Sequence, residues 1–193
     1  GRDPVHVLVA AEPRHLPPRV PARELLRLRD RLARLVGHRA SDDEVADACA
    51  AHDAQRDLLA ELVARRRTGK LSAVDVLGVQ AAVQRLPVSD GTALLRRFLA
   101  SEHTPIGARC RVRMTGSSHD GPGVYRSLEE AGHLVVGDDH DWGDLRARGR
   151  VGTPGNLLAL AEHYQSAQPT AARSAPRDRA ALLDADLTES HPD

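Results

Sequence analysis

Aromatic side chains are almost missing from this sequence, at 2% of 193 residues, with one Trp, one Phe and two Tyr. A hydrophobic core must therefore be built from Leu, Val and Ala, which suits helices and buried parallel strands. Apolar residues still make up 41% of the chain, an ordinary share for a globular protein, which argues against overall disorder.

Charge of one sign, long apolar runs and cysteine are lacking as well. Lys+Arg and Asp+Glu both number 27, so the basic excess typical of nucleic-acid-binding proteins is missing. No run of 18 apolar residues occurs, which argues against a membrane span. Two cysteines, Cys49 and Cys110, are too few for a disulfide framework or a four-thiolate metal site within this chain. We expect a cytoplasmic protein without nucleic-acid or membrane partners.

The first half of the chain is predicted to form one strand and a helical block. The apolar run 5–11, bounded by prolines, indicates a buried strand that needs partner strands. Apolar residues at helical spacing then predict four helices over 22–100. Their boundary signals are Gly37 at a helix end, Ser41 with Glu44 as a capping box, Ser72 or Asp75 at the third start, and Ser89–Asp90 at the fourth.

The best-defined pattern is a strand, turn, helix and strand over 110–139. Residues 111–115 read as a strand, 116–123 as a Gly-rich turn, 124–131 as a helix and 133–137 as a second strand. This order is typical of a βαβ unit with parallel strands. Two further helices are predicted over 156–164 and 177–185. A doubly wound sheet needs more strands, and we therefore expect an incomplete α/β fragment.

Several short motifs stand in an order that is similar to one protein family. They are Pro13–Arg14, Gly37, His52–Arg56, Arg111–Ser117, Val135–Asp139 with Gly143, and Leu157–Tyr164. The series resembles the 2-hydroxyacyl-CoA dehydratase and benzoyl-CoA reductase subunits. The resemblance implies the end of a first α/β lobe over 1–21, a helical linker over 22–108, and the first half of a Rossmann-like, doubly wound parallel lobe over 109–193.

The resemblance also implies an activity, a cofactor and partners. Such a subunit takes part in radical removal of water from a 2-hydroxyacyl-CoA thioester, with a [4Fe-4S] cluster, a second subunit and an ATP-dependent activator protein. The cluster ligands of relatives lie outside the region that this chain matches, so none is expected within it. Asp53 stands where relatives often have Asn, and the turn at His140 where they often have Cys. We expect the chain alone to be inactive, and no catalytic residue is assigned.

Two clusters are candidate binding residues, each with a simpler alternative. Thr115, Gly116, Ser117 and Ser118 follow a strand, where backbone N–H groups bind anions such as a CoA phosphate, although a tight turn capping the next helix is the favoured explanation. Asp138 and Asp139 end the second strand, where acidic residues with His140 and Asp141 can hold a ribose hydroxyl or a divalent metal. A solvated acidic loop is the commoner case.

Other residues are assigned structural places. Cys49 is expected in the core beside Val45 and His52, and Arg65–Arg67 on a solvated helix face, with docking to phosphates or a partner as an alternative. Two other functions stay open: a degenerate non-catalytic scaffold subunit of the same fold, and an unrelated α/β binding domain with an acidic site at Asp138 or Asp139.

Overall fold

The computed structural model describes residues 19–116, 119, 121–140, 142–165 and 176–192. The described residues form two compact units, one within Gly1–Asp53 and Arg150–Ala167, the other within Ala54–Gly149 and Gln168–Asp193. The elements are α1 (Arg19–Val36), α2 (Asp42–Arg67), α3 (Ala73–Val83), α4 (Val88–Ala100), β1 (Arg111–Met114), α5 (Gly123–Glu130), β2 (Leu134–Asp138), a 3-10 turn (Asp144–Ala147), α6 (Leu157–Gln165) and α7 (Pro176–Ser190). The strand predicted over 5–11 lies outside the described residues.

In the first unit, α1 packs against α6. The amphipathic pattern over 22–36 is confirmed as a helix, and it ends where predicted because Gly37 adopts a φ of 75° that favours glycine. Asn156 begins α6 by accepting the backbone N–H groups of Leu158 and Ala159 at 2.9 and 3.0 Å.

The predicted helix starts are confirmed at two positions and shifted at a third. Ser41 and Glu44 exchange hydrogen bonds of 2.7 and 3.1 Å at the start of α2, which is the predicted capping box. Ser72, and not Asp75, caps α3 through the backbone N–H groups of Val74 and Asp75. Helix α4 begins one residue before Ser89, because the carbonyl of Pro87 already accepts the Gly91 N–H at 2.9 Å.

The βαβ unit in the second compact unit is confirmed. β1 and β2 pair in parallel, with α5 between them in sequence, so the chain is α/β with a helix-rich composition. The register shifts between Val112 and Arg113, which face Val135 and Gly137 respectively. The shift leaves Val136 as an extra residue on β2 and sets which side chains follow at its carboxyl end.

Two hydrophobic clusters lie in the second unit. One contains Leu59, Leu62, Leu71, Val76, Val83, Leu95 and Leu99. The other contains Ala73, Tyr125 and Val135 against the sheet. No helix among the described ranges combines the length and the apolar character needed to cross a bilayer.

The predicted core face of α2 is wrong in its first half. His52 is exposed and Cys49 is half-buried, whereas Asp53 is 2% exposed. The Asp53 carboxylate accepts the backbone N–H groups of Val151 and Gly152 at 2.9 and 2.7 Å. A satisfied carboxylate can therefore occupy a buried position that apolar periodicity assigns to its neighbours.

Candidate functional site

Ionisable side chains gather at the carboxyl end of β2 and are buried there. Asp138 is 1% exposed, Asp139 5%, His140 3% and Asp144 1%. The expectation of a solvated acidic loop is therefore wrong. Buried charges need partners, because removal from water costs several kcal/mol for each unpaired ion.

The principal partner is Arg66, near the end of α2. Its side chain is 0% exposed, and Nη1 donates to Asp138 Oδ2 at 2.9 Å while Nη2 donates to both Asp144 oxygens at 2.6 Å. The prediction that Arg65–Arg67 form a solvated face is wrong for Arg66. Its spacing from Leu59 and Leu62 continues the apolar stripe of α2, and this was the signal in the sequence that Arg66 points inward.

The turn between Asp138 and Asp144 closes tightly around the first carboxylate. The backbone N–H of Asp144 donates to Asp138 Oδ1 at 2.9 Å. A Cβ atom at Gly143 would overlap that same oxygen. Glycine at position 143 is therefore required by space, and it allows one carboxylate to bind both Arg66 and the turn backbone.

Tyr125 and His140 extend the cluster. The Tyr125 hydroxyl lies 2.6 Å from His140 Nε2 and 3.3 Å from Asp138 Oδ2. His140 Nδ1 accepts the Trp142 N–H at 3.2 Å, so in the neutral imidazole the proton is on Nε2. His140 then donates to the Tyr125 oxygen, and Tyr125 donates to Asp138. The exposed His119 ring stands edge-on to both rings at 5.9 Å between centroids.

Two carboxylates share one guanidinium, and their pKa values move apart. Burial raises the pKa of Asp144 to about 6, and the Asp138 carboxylate adds to the rise while Arg66 opposes it. Burial acts to raise the pKa of Asp138 too, but Arg66 and His140 outweigh it and hold that pKa below the usual range. Burial and the Asp138 charge raise the pKa of the Tyr125 phenol. In the folded state Asp144 therefore holds a proton more tightly than Asp138 does.

Asp139 joins the two predicted clusters. Its Oδ1 accepts the Gly116 N–H at 2.9 Å, and its Oδ2 accepts Arg179 Nη2 at 3.0 Å. The parallel pairing brings the turn after β1 to the end of β2, as strand order predicts. Thr115 is exposed beside this contact, whereas Ser117 and Ser118 lie outside the described residues.

The described donors at the end of β2 do not form a metal site. Within the part of the chain that the structure describes, no group of three or more His, Cys, Asp or Glu residues could hold a metal ion. Cys110 is half-buried with its Sγ 3.9 Å from the Arg111 carbonyl oxygen. The acidic residues at the end of β2 are already neutralised by arginine, and Asp141, the remaining member of the predicted group, lies outside the described residues.

A family model described as 2-hydroxyglutaryl-CoA dehydratase, D-component, matches residues 4–193. The chain belongs to this family. The match covers both compact units and the complete βαβ unit, and the resemblance seen in the sequence is confirmed. Family membership also excludes the alternative of an unrelated α/β binding domain. Among curated proteins, none matches the chain.

Proposed function

We propose that this member of the D-component family is part of a larger subunit that removes water from a 2-hydroxyacyl-CoA thioester. The observation that carries the proposal is the family match over 4–193. The parallel βαβ unit is the building block of Rossmann-like lobes, which supports such a lobe here. A sheet of the two described strands is small for an independent domain, which supports further strands in the larger subunit. Within this larger subunit, we propose that residues 1–21 form the end of one lobe, residues 22–108 a helical linker, and residues 109–193 the start of a second lobe.

The family resemblance implies radical chemistry supported by a [4Fe-4S] cluster, but the described residues do not fit such a cluster. Cluster binding needs several thiolates, and this chain has Cys49 and Cys110 alone. No described group of ligands compensates for the missing thiols. We therefore propose that any cluster ligands lie in the rest of the parent subunit, with a second subunit and an ATP-dependent activator as partners.

The proposed contribution of this chain to substrate binding is the turn after β1. Thr115 is exposed and is a candidate contact for the CoA moiety, together with Gly116, Ser117 and Ser118. The Gly116 N–H already donates to Asp139, which favours the tight-turn alternative for that amide. A CoA phosphate would therefore rely on Thr115 and its neighbours and not on the Gly116 backbone.

A second candidate is a non-catalytic scaffold subunit of the same fold. The observation in its favour is that Asp138, Asp139 and Asp144 each bind an arginine of this chain, and His140 binds Tyr125. Acidic groups with such partners stabilise a fold without contacting a substrate. The two candidates differ in iron content, and this difference can be measured.

The test uses the full-length subunit, purified anaerobically with its partner subunit. Iron and acid-labile sulfide are determined, and dehydration of a (R)-2-hydroxyacyl-CoA is followed with ATP and the activator by formation of the enoyl-CoA. Iron together with turnover supports the catalyst. Protein without iron or turnover favours the scaffold. Turnover by these 193 residues alone would contradict the proposal that the remaining lobe is needed.

A further inference from the structure

Helix α7 contacts the second unit through several charged side chains. Among its described side chains, Asp186 is the one that is fully buried, at 2% exposed. Leu182 and Leu183 are half-buried, and Leu187 is 37% exposed. A helix docked by the hydrophobic effect shows the opposite distribution, with its leucines inside.

Two arginines converge on the buried carboxylate. Arg113 Nη2 donates to Asp186 Oδ2 at 2.5 Å, and Arg148 donates to the other oxygen. Arg113 belongs to β1 and Arg148 follows the 3-10 turn, so separate segments supply the two cations. Such convergence of guanidinium groups is the usual arrangement around a carboxylate or a phosphate.

Two further arginines contact the last turn of α7. Arg67, the final residue of α2, pairs with Glu189. Arg111 Nε donates to the His191 carbonyl oxygen at 2.9 Å. Both contacts place a cation against an acceptor at the end of the helix. The four arginines that bind α7, which we name the arginine group, are Arg67, Arg111, Arg113 and Arg148.

Arg113 retains donors that α7 does not use. Its side chain is 2% exposed, and Nε and Nη1 are buried without a hydrogen-bond partner among the described residues. A guanidinium has five N–H donors, and buried donors are almost always satisfied in folded proteins. Asp186 and the Asp138 carbonyl oxygen, 3.5 Å from Nη2, leave Nε and Nη1 undersatisfied, whereas a phosphate brings an additional acceptor oxygen.

We propose that the arginine group is a binding site for a phosphate-bearing ligand, and that α7 is its intramolecular occupant. Asp186 and Glu189 take the places of anionic oxygens, so ligand and helix exclude each other. The apparent affinity for the ligand is then reduced by the fraction of time that α7 is docked. By linkage, the ligand increases the released population of α7 by the same factor. This proposal does not depend on the dehydratase activity.

The experiment titrates the full chain with inorganic pyrophosphate by calorimetry and follows hydrogen exchange of the α7 amides. We expect Asp186→Asn to bind pyrophosphate about tenfold more tightly than the unmutated chain, since the substitution weakens the docking of α7. The matched control is Asp184→Asn, which removes the same charge from an exposed position of the same helix and leaves the affinity unchanged. Pyrophosphate should also accelerate exchange over 177–190 in the parent chain.

A second variant guards against misfolding of Asp186→Asn, which leaves Arg113 buried without its carboxylate. Glu189 has a side chain 61% exposed, so Glu189→Gln leaves the fold intact and should tighten pyrophosphate binding about twofold. The proposal is overturned if Glu189→Gln binds no better than Asp184→Asn, or if pyrophosphate leaves exchange of α7 unchanged. Equal gains for Asp184→Asn and Glu189→Gln would also overturn it, because they would reflect net charge alone.

Discussion

The second unit buries two clusters of opposite chemistry, and helix α2 contributes to both. Leu59 and Leu62 lie in the apolar cluster with α3 and α4, while Arg66 lies in the charged cluster at the end of β2. In the apolar cluster, each buried methyl group makes its own small contribution to the free energy of unfolding, and its removal leaves a cavity. The charged cluster is interdependent, since removal of one ion leaves the others buried and unpaired. The two clusters should therefore respond differently to mutation and to pH.

The largest effect is expected from Arg66→Met, which keeps the side-chain volume but removes the cation. Asp138 and Asp144 would then share the site without a counter-ion, and we expect a loss of about 4 kcal/mol in the free energy of unfolding by urea denaturation. Arg96→Met is the control, because Arg96 is exposed and its loss should cost about 0.5 kcal/mol or less. Equal losses for the two variants would mean that the charged cluster is not interdependent.

Truncation in the apolar cluster should cost somewhat less. Leu62 is 0% exposed, and Leu62→Ala should lower the free energy of unfolding by about 3 kcal/mol through lost burial and a residual cavity. Leu86, 42% exposed, offers the control, with an expected change within about 0.5 kcal/mol for Leu86→Ala. If Leu62→Ala proved as mild as Leu86→Ala, the apolar cluster would not be a packed core.

The steric requirement at Gly143 provides a smaller effect on the charged cluster. The Cβ atom of Gly143→Ala would displace the Asp138 carboxylate from the turn, and we expect a loss of about 2 kcal/mol in thermal or urea unfolding. Gly107 has open space at its Cβ position, so Gly107→Ala should be neutral or slightly stabilising. A neutral Gly143→Ala would show that the turn relaxes freely around Asp138.

The mildest test changes pH. The folded state raises the pKa of Asp144 from 3.8 to about 6, so it binds a proton more tightly than the unfolded chain does. This contribution to stability is complete below pH 3.8 and is lost as pH rises toward 6, with a slope of at most about 1.4 kcal/mol per pH unit. Asp138 acts in the opposite sense, because its lowered pKa removes stability on further acidification.

Asp144→Asn isolates this contribution. The free energy of unfolding of the unmutated chain minus that of the variant should decrease as pH rises from about 4 to about 7 and stay constant above that range. A flat difference for Asp144→Asn would show that burial does not raise the pKa of Asp144 in the folded state.

The helices, their boundary residues and the βαβ unit could be predicted from the sequence, because each rests on local chemistry. Ser41 with Glu44, Ser72 and Gly37 act on backbone groups within one turn, so their effect does not depend on distant residues. The buried face of the first half of α2 could not be predicted in this way. Its apolar pattern indicated a buried face, yet the structure buries Asp53, which binds backbone donors almost a hundred residues away.

The candidate site could be located but not described. The sequence placed Gly116 and Asp139 at the ends of adjacent parallel strands, and the structure joins them. It gave no indication that Asp138 binds Arg66 across 72 positions, or that Tyr125 and His140 meet. A charge that is buried and one that is solvated look the same in sequence, since the difference lies in the partner.

The sequence by itself determined the family, the α/β class and the local starts and ends of helices, because these depend on residue order and on contacts within a few positions. Only the tertiary structure decided that Arg66 points into the protein, that the acidic end of β2 is neutralised by arginine, and that Asp186 on α7 is buried against two arginines. The reason is electrostatic: the free energy of a charge depends on burial and on the position of its counter-ion, and both are set by residues far apart in the chain.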